Sequence, residues 1–367
     1  MKLTGNQRNL YLLSLILLIA AVALACFWTF WGNGERTASE AVVSPSPSAM
    51  PAPSPTPGAC DLQTAAEAPA SDATVSTIVY YQDNYGYLVP VMCNVARQDG
   101  IARATLNMMV QSSQNDMNAA RLGLRTVLPE GTTIDLDIAD GLARIDLSKE
   151  ALNCADAAAE SNMITAIVQT LTEFDTVKKV EILIGGQKIK KLTHGTDISE
   201  PFTRGEINLE TAVESASTAL ESVQLYFPCE SSSIVVPVTR MVYANADVNT
   251  AVLELTKGPG GQSPLERVLP AGCGLIDVQV KDGTATVNFT KEFARMVENT
   301  DGGRLALKAL VLTCTQFEGI DNVEILVEGE AYDTGDGTLN VPSFANVADD
   351  IVYDYIQTQS NILFEYE

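Results

Sequence analysis

The chain has 367 residues with 46 acidic and 23 basic side chains, giving a net charge of −23, and it carries one histidine and seven cysteines. That charge argues against nucleic acid as a partner, because phosphate binding is driven by Lys and Arg neutralisation. One histidine leaves only His194 for a histidine-based triad and rules out a two-histidine zinc motif.

Residues 10–30 hold no charged side chain. At 1.5 Å per residue they make a helix of about 32 Å, enough to cross a hydrocarbon core. Lys2 and Arg8 precede this run, and Glu35 and Arg36 follow it without a basic excess, which keeps the N-terminus cytoplasmic and exports the rest. Trp28 and Trp31 fall where an outer aromatic belt would lie. The rival reading is a cleaved signal, since Ala23-Leu24-Ala25-Cys26 is similar to a lipobox in which Cys26 would carry lipid. Leu24 is bulky for such a site and the apolar run continues through Phe27 and Trp28, which favours the uncleaved anchor. Either way residues 1–32 place the protein on the outer face of a membrane. Residues 33–74 read as a linker; within it, residues 44–57 contain six prolines in 14 positions, a polyproline II spacer of roughly 40 Å.

An internal repeat organises the remainder, with residues 75–203 lying over 218–346. Val79-Tyr80-Tyr81 falls on Leu225-Tyr226-Phe227, and Leu88-Val89-Pro90 on Val235-Val236-Pro237. Leu128-Pro129 matches Leu269-Pro270, followed by Gly131 and Gly272; Asp140-Gly141 matches Asp282-Gly283. The run from Ile145 to Glu150 meets Val287 to Glu292, TLTEF ending at Phe174 meets TCTQF ending at Phe317, and Val180-Glu181-Ile182-Leu183 meets Val323-Glu324-Ile325-Leu326.

Period-2 alternation of Ile134, Leu136 and Ile138, and of Ile276, Val278 and Val280, predicts a strand with one buried face in each copy. Asp-Gly then turns the chain into a return strand over 142–147 or 284–289. Helical spacing of Met163, Ile164, Ile167, Val168 and Leu171, matched by Ala306, Leu307, Leu310, Val311 and Cys314, predicts an amphipathic helix, and a shorter one covers about 101–110 and 248–255. Each copy reads as strand–strand–helix–hairpin–helix–strand, an α+β sheet covered by two helices. Between them, residues 204–217 form a joint, in which Glu206, Glu210 and Glu214 have the spacing of a short solvated helix. Residues 347–367 are an acidic tail expected to pack on copy two or to extend toward a partner.

The tyrosine-rich first strand, the valine-proline of the second, Leu-Pro before glycine, Asp-Gly before a strand ending in Ser/Thr-Lys-Glu, and TLTEF before Val-Glu-Ile-Leu together resemble the GerMN domain family over residues 75–346. The resemblance implies an extracytoplasmic, non-enzymatic role in spore-envelope assembly and a domain fold similar to the ring-building motifs of secretion and sporulation channels. It implies other envelope or septal sporulation proteins as partners, and no cofactor. Copy two keeps the family's Gly-Pro in Lys257-Gly258-Pro259-Gly260-Gly261, where copy one has Gln111-Ser112, and this loop is the candidate partner contact. A peptidoglycan-binding module and a wall hydrolase are the competing functions.

Single-residue chemistry is sparse. His194 lies in a polar turn that lacks a histidine in copy two. The cysteines do not correspond between copies; Cys93, for one, aligns with Arg240. No C-x-x-C metal spacing exists, so thiols are expected rather than a disulfide framework, although export would permit Cys154, Cys229 or Cys273 to pair. Asp135, Asp137 and Asp140 approach a calcium-loop spacing but have Ala139 and Asp140 where such a loop needs an acid and a glycine, and the Asp333 to Thr338 stretch reads as a turn. The acids Glu173 and Asp146, candidates for glycan cleavage, become Gln316 and Asn288 in copy two. With −23 charges the exported part is expected to be monomeric alone.

Protease added to intact protoplasts is expected to remove the folded part while leaving the anchor in the membrane, and intact-mass measurement is expected to show an uncleaved N-terminus. A chain beginning at a diacylated Cys26 would establish the lipoprotein form instead.

Overall fold

The computed structural model describes residues 74–348 apart from 211–219, 230–233, 244, 262, 297–300, 333–338 and 341–345. The expected anchor, Cys26 and the proline-rich linker lie outside these residues. Among the described residues no helix is long and apolar enough to cross a membrane.

Copy one runs β1 (Thr74–Gln82), β2 (Leu88–Ala96), α1 (Ile101–Asn107), α2 (Ser113–Arg121), β3 (Ile134–Ala139), β4 (Leu142–Leu147), α3 (Ala157–Thr172) and β5 (Lys179–Ile184). After β6 (Leu209–Glu210), copy two runs β7 (Glu221–Pro228), β8 (Val235–Val242), α4 (Val248–Lys257), β9 (Leu275–Lys281), β10 (Thr284–Phe289), α5 (Asp301–Thr315) and β11 (Asn322–Val327), with β12 (Glu330–Ala331) and β13 (Leu339–Asn340) pairing on β11. The return strands fall at the expected residues. Asp140 and Asp282 adopt φ of 51° and 50° ahead of glycines at 80° and 78°, the left-handed pair that a two-residue hairpin turn demands.

The layering differs from a single sheet covered by two helices. Each copy splits into an antiparallel hairpin, β1–β2 or β7–β8, and a separate sheet in which the middle strand pairs antiparallel with one neighbour and parallel with the other. Helix α3 touches both β1 and β5, and α5 both β7 and β11, so the long helices lie between two layers. The sequence hides this because the long helix looks amphipathic only in its first half. From Ala166 to Leu171, and from Ala309 to Cys314, every side chain is buried, as a helix enclosed on two sides requires.

The hairpin strands β3 and β9 depart from a fully buried face. Ile138, Ile276 and Val280 remain 36%, 48% and 50% exposed, because these are edge strands and β9 carries a register shift opposite Asn288 and Phe289. Copy one also has a helix, α2, with no counterpart among the described residues of copy two. Ser112 accepts the Asn115 N–H and caps α2, while the Asn115 side chain donates to the Asn107 and Val110 carbonyls left over at the end of α1.

The two copies meet along β2 and β8, and their buried residues form one continuous core. Pro90 lies opposite Tyr80, and Pro237 opposite Tyr226. The Tyr80 and Tyr226 N–H groups point away from the prolines, to the hydroxyls of Thr170 and Thr313, so both are the non-hydrogen-bonded kind of pair. The N–H that each proline lacks is therefore one that would have faced the other copy. Two asparagines use the exposed carbonyls. Asn208 grips both backbone groups of Leu88 and donates to Pro237 O at 2.7 Å; Asn346 grips both backbone groups of Val235 and donates to Pro90 O at 2.9 Å.

The chain that follows each asparagine crosses over in the same way. Leu209 of β6 runs parallel to Thr239 in copy two, and Val347 bridges in parallel to Met92 in copy one. Each segment trailing one copy thus edges the hairpin of the other. This corrects two expectations. The joint is not helical over its described part, since Asn208 has φ of 51° and Leu209–Glu210 is a strand. The tail begins on copy one, although Asn346 also holds copy two; residues 349–367 lie outside the described residues.

Asn346 is 1% exposed and its side chain serves three backbone groups, whereas Asn208 is only half-buried. Replacing Asn346 by Ala in the full chain is expected to cost roughly 2–4 kcal/mol, at about 1–3 kcal/mol per stranded buried group, and Asn208→Ala less. Urea unfolding checks the ranking.

Candidate functional site

The candidate loop follows helix α4, whose Asp247 cap accepts the Thr250 N–H and whose last residue is Lys257. Gly258 ends the helix at φ 79° and ψ −176°, a region open only to glycine, and an added Cβ would sit 2.5 Å from Arg267 Nη1. Three charged side chains pin the loop. Arg240 on β8 donates to the Gly258 carbonyl at 2.8 Å and to the Glu254 carbonyl at 2.9 Å, and it pairs with Glu254 and Glu210. Glu210, from β6, accepts the Gly260 N–H at 2.6 Å. Arg267 donates to the Thr256 and Lys257 carbonyls at 2.7 and 2.8 Å.

The exchanged strand therefore carries the acid that holds Gly260. Lys257, Gly260 and Gly261 remain exposed, Pro259 is half-buried and Gly258 is buried, so the loop offers a rigid glycine-proline surface with one cation, Lys257, paired to Glu254. In copy one the position of Arg240 is held by the buried Cys93, next to Tyr81, and α2 occupies the place of the loop. The missed part of the sequence signal was Arg240 itself, the one charged residue in a mostly apolar β8.

A turn of copy one flanks this loop. Asp83 is buried and its Oδ1 accepts the Tyr85 and Tyr87 N–H groups at 2.8 Å, which shapes the turn between β1 and β2. The Tyr87 hydroxyl then lies 3.1 Å from Ser263 of copy two. Asp83 Oδ2 is buried with no partner among the described residues. Burial pushes its carboxyl above the usual range, against the pull of the turn amides and of Arg125.

A cleft of about 520 Å³, lined by both copies and by residues 204–207 of the joint, opens between the copies. Arg204 donates to the Tyr80 hydroxyl at 2.9 Å and to Glu173 at 2.5 Å, and Tyr80 donates to the same carboxylate at 2.8 Å. Burial raises the Tyr80 hydroxyl far above its normal range and pushes Tyr226 up to about 12, with Glu173, in the same copy as Tyr80 and across the seam from Tyr226, adding to both. In copy two Gln316 bonds the backbone of Gln224 on both sides, at 3.0 and 2.6 Å. The Glu-to-Gln exchange follows from where Arg204 lies: a half-buried carboxylate is favoured beside the cation, and a neutral amide where no cation stands. Asp146 and Asn288 likewise share one task, accepting the Gly186 and Gly329 N–H groups at 2.8 and 3.0 Å.

The remaining candidates are dispersed. Exposed His194 sits in a loop held by Glu160, which accepts the His194 and Thr196 N–H groups, and its ring contacts the Cys154 carbonyl at 2.9 Å. Asp135 faces Arg103 at 3.8 Å, Asp140 is in the hairpin turn, and the stretch from Asp333 lies outside the described residues. Among the described residues no group of three or more His, Cys, Asp or Glu is placed to hold a metal ion. Cys154, Cys273 and Cys314 form no disulfide, and Cys314, in the enclosed half of α5, has its thiol pushed up to about 12 by burial.

Residues 78–190 and 224–333, the two copies, match the Germane family, described as sporulation and spore germination. The chain is 31% identical over 276 residues to the spore germination protein GerM of Bacillus subtilis strain 168, covering 72% of this chain and 75% of that protein. The solved tandem GerMN domains of the sporulation protein GerM from Bacillus subtilis superpose with a TM-score of 0.62 at 29% identity, covering 75% of this chain and 99% of that one. The likeness read from the repeated motifs is thereby shown.

A carboxyl whose pKa is higher in the folded than in the unfolded chain adds stability below the unfolded value and loses it as pH rises through the folded one. Asp83→Asn keeps the Oδ1 acceptor and removes the charge. In parallel thermal scans the variant is expected to melt above the parent at pH 7, the gap narrowing as pH falls through the raised folded value and closed once pH is below about 4, near the unfolded Asp pKa.

Proposed function

The chain belongs to the Germane family of sporulation and spore germination, and from that premise we propose that it is a non-catalytic scaffold, tethered on the outer face of the membrane, that supports assembly or stability of an envelope complex in a sporulating cell. The observation that carries this reading is the seam. Two copies gripped reciprocally through Asn208 and Asn346 act as one rigid block, which presents surfaces to other proteins in a fixed relation. The acids that a wall hydrolase would need are committed elsewhere: Glu173 to Arg204 and Tyr80, and Asp146 to the Gly186 amide.

The partner contact in this reading is the loop Lys257 to Gly261, rigid, exposed and peculiar to copy two. Its supports are internal, so it can be altered at the surface without loss of the seam. Affinity capture of the tagged full chain from membranes of sporulating cells is expected to recover exported sporulation proteins, and Lys257→Glu to reduce that recovery several-fold at equal chain abundance. Recovery unaffected by the substitution would remove the loop from the contact. Lysis of wall material in a zymogram by the wild-type chain would overturn the scaffold role.

A further inference from the structure

A small concavity of about 290 Å³ opens where the β1–β2 turn, the first turns of α3 and the joint converge. Its rim carries Tyr85, 61% exposed, and Leu209, 52% exposed, two of the most exposed large apolar side chains among the described residues. Between them lie Asn162, Thr165 and Glu206. The Asn162 amide donates to the Gly86 carbonyl at 2.9 Å, and its Oδ1 has no protein partner among the described residues. The Thr165 hydroxyl spends its proton on the Ser161 carbonyl, leaving lone pairs to accept. Glu206 is exposed.

The vacant groups on Asn162, Thr165 and Glu206 accept, the Tyr85 hydroxyl can donate or accept, and among the described residues no Lys, Arg or His lines the concavity. An anionic ligand is disfavoured there; a ligand must bring donors and an apolar face. The volume is just below the roughly 300–1,000 Å³ of pockets that enclose drug-sized molecules, which suits one ring held at a rim better than a long chain. The walls are fixed in advance: Asp83 sets the Tyr85 turn, Asn162 ties that turn to α3, and Asn208 fastens the joint to both copies. Pre-set walls lower the ordering cost of binding.

We propose that this concavity binds a pyranose sugar of N-acetylhexosamine type, the C–H face of the ring lying on Tyr85, the hydroxyl and acetamide N–H groups donating to Asn162, Thr165 and Glu206, and the acetyl methyl meeting Leu209. An aromatic ring with a polar surround is suited to such a ligand because it pairs apolar contact with oriented hydrogen bonds. The site does not rest on the scaffold role, and binding at it can be read without any envelope partner. It gives the chain a direct hold on a glycan strand.

The test uses the full chain in a detergent without a sugar headgroup, titrated with tri-N-acetylchitotriose and followed by saturation-transfer NMR and calorimetry. Binding is expected at sub-millimolar concentration, weakened at least tenfold by Tyr85→Ala and by Asn162→Ala, and unchanged by Tyr243→Ala, whose ring is exposed outside the concavity. Lys257→Glu is expected to leave sugar binding intact, which separates this site from the partner loop. Tyr85 is on the surface, so equal melting temperatures are expected for Tyr85→Ala and the parent. No binding at millimolar sugar, equal binding by Tyr85→Ala, or preference for a lysine-containing peptide over the sugar would each overturn the assignment.

Discussion

Two missing amide hydrogens shape this molecule. Pro90 and Pro237 stand at positions where an ordinary residue would direct an N–H toward the neighbouring copy, and each leaves a carbonyl there in need of a donor. A side-chain amide can serve such a place because it donates and accepts at once. Asn208 and Asn346 take that role in mirrored fashion, and the chain after each then pairs on an open edge, strand β6 on β8 and the bridge at Val347 on β2. Thr170 and Thr313 complete the arrangement from the far side by taking the N–H groups opposite the prolines. An exposed strand edge invites uncontrolled pairing, and here each copy's edge is covered by chain from the other.

On this near-symmetric frame the copies have diverged where symmetry is not needed. Arg240 in place of Cys93 converts an apolar position into the hub of the glycine-proline loop. A largely enclosed arginine calls for acids nearby, and Glu254 and Glu210 supply them, one from α4 and one from the exchanged strand. Copy one spends the same stretch of chain on α2. Arg204 adds the second asymmetry: it lies in the joint and so reaches one cleft, which explains a charged Glu173 on one side and a neutral Gln316 on the other.

Much of this was legible from residue order. The return strands, the Asp-Gly turns and the long helices repeat with enough period and turn chemistry to be placed from the sequence alone. The tandem family match followed from the same motifs. What stayed hidden depends on contacts between distant segments. A strand of two residues such as Leu209–Glu210 has no periodicity to detect, and Asn208 and Asn346 look like ordinary loop residues until their carbonyl partners are known. The separation of each copy into hairpin and sheet was hidden for a related reason: strand signals do not say which strands pair. The edge exposure of Ile138 and Val280 depended on that pairing as well.

Chain order gives the seam a temporal meaning. Asn346 reaches Pro90 across 256 residues of sequence, whereas Asn208 reaches Leu88 across 120. During synthesis the first copy can acquire Asn208 early, but the edge of its β2 waits for the last part of the second copy to arrive. Long-range closures form late because the intervening loop must be ordered first. A product truncated before Asn346 would leave that edge bare, and bare edges are what quality-control proteases and aggregation find. Asn346 therefore acts as a completion seal, closing the block only once the second copy has been made to its end.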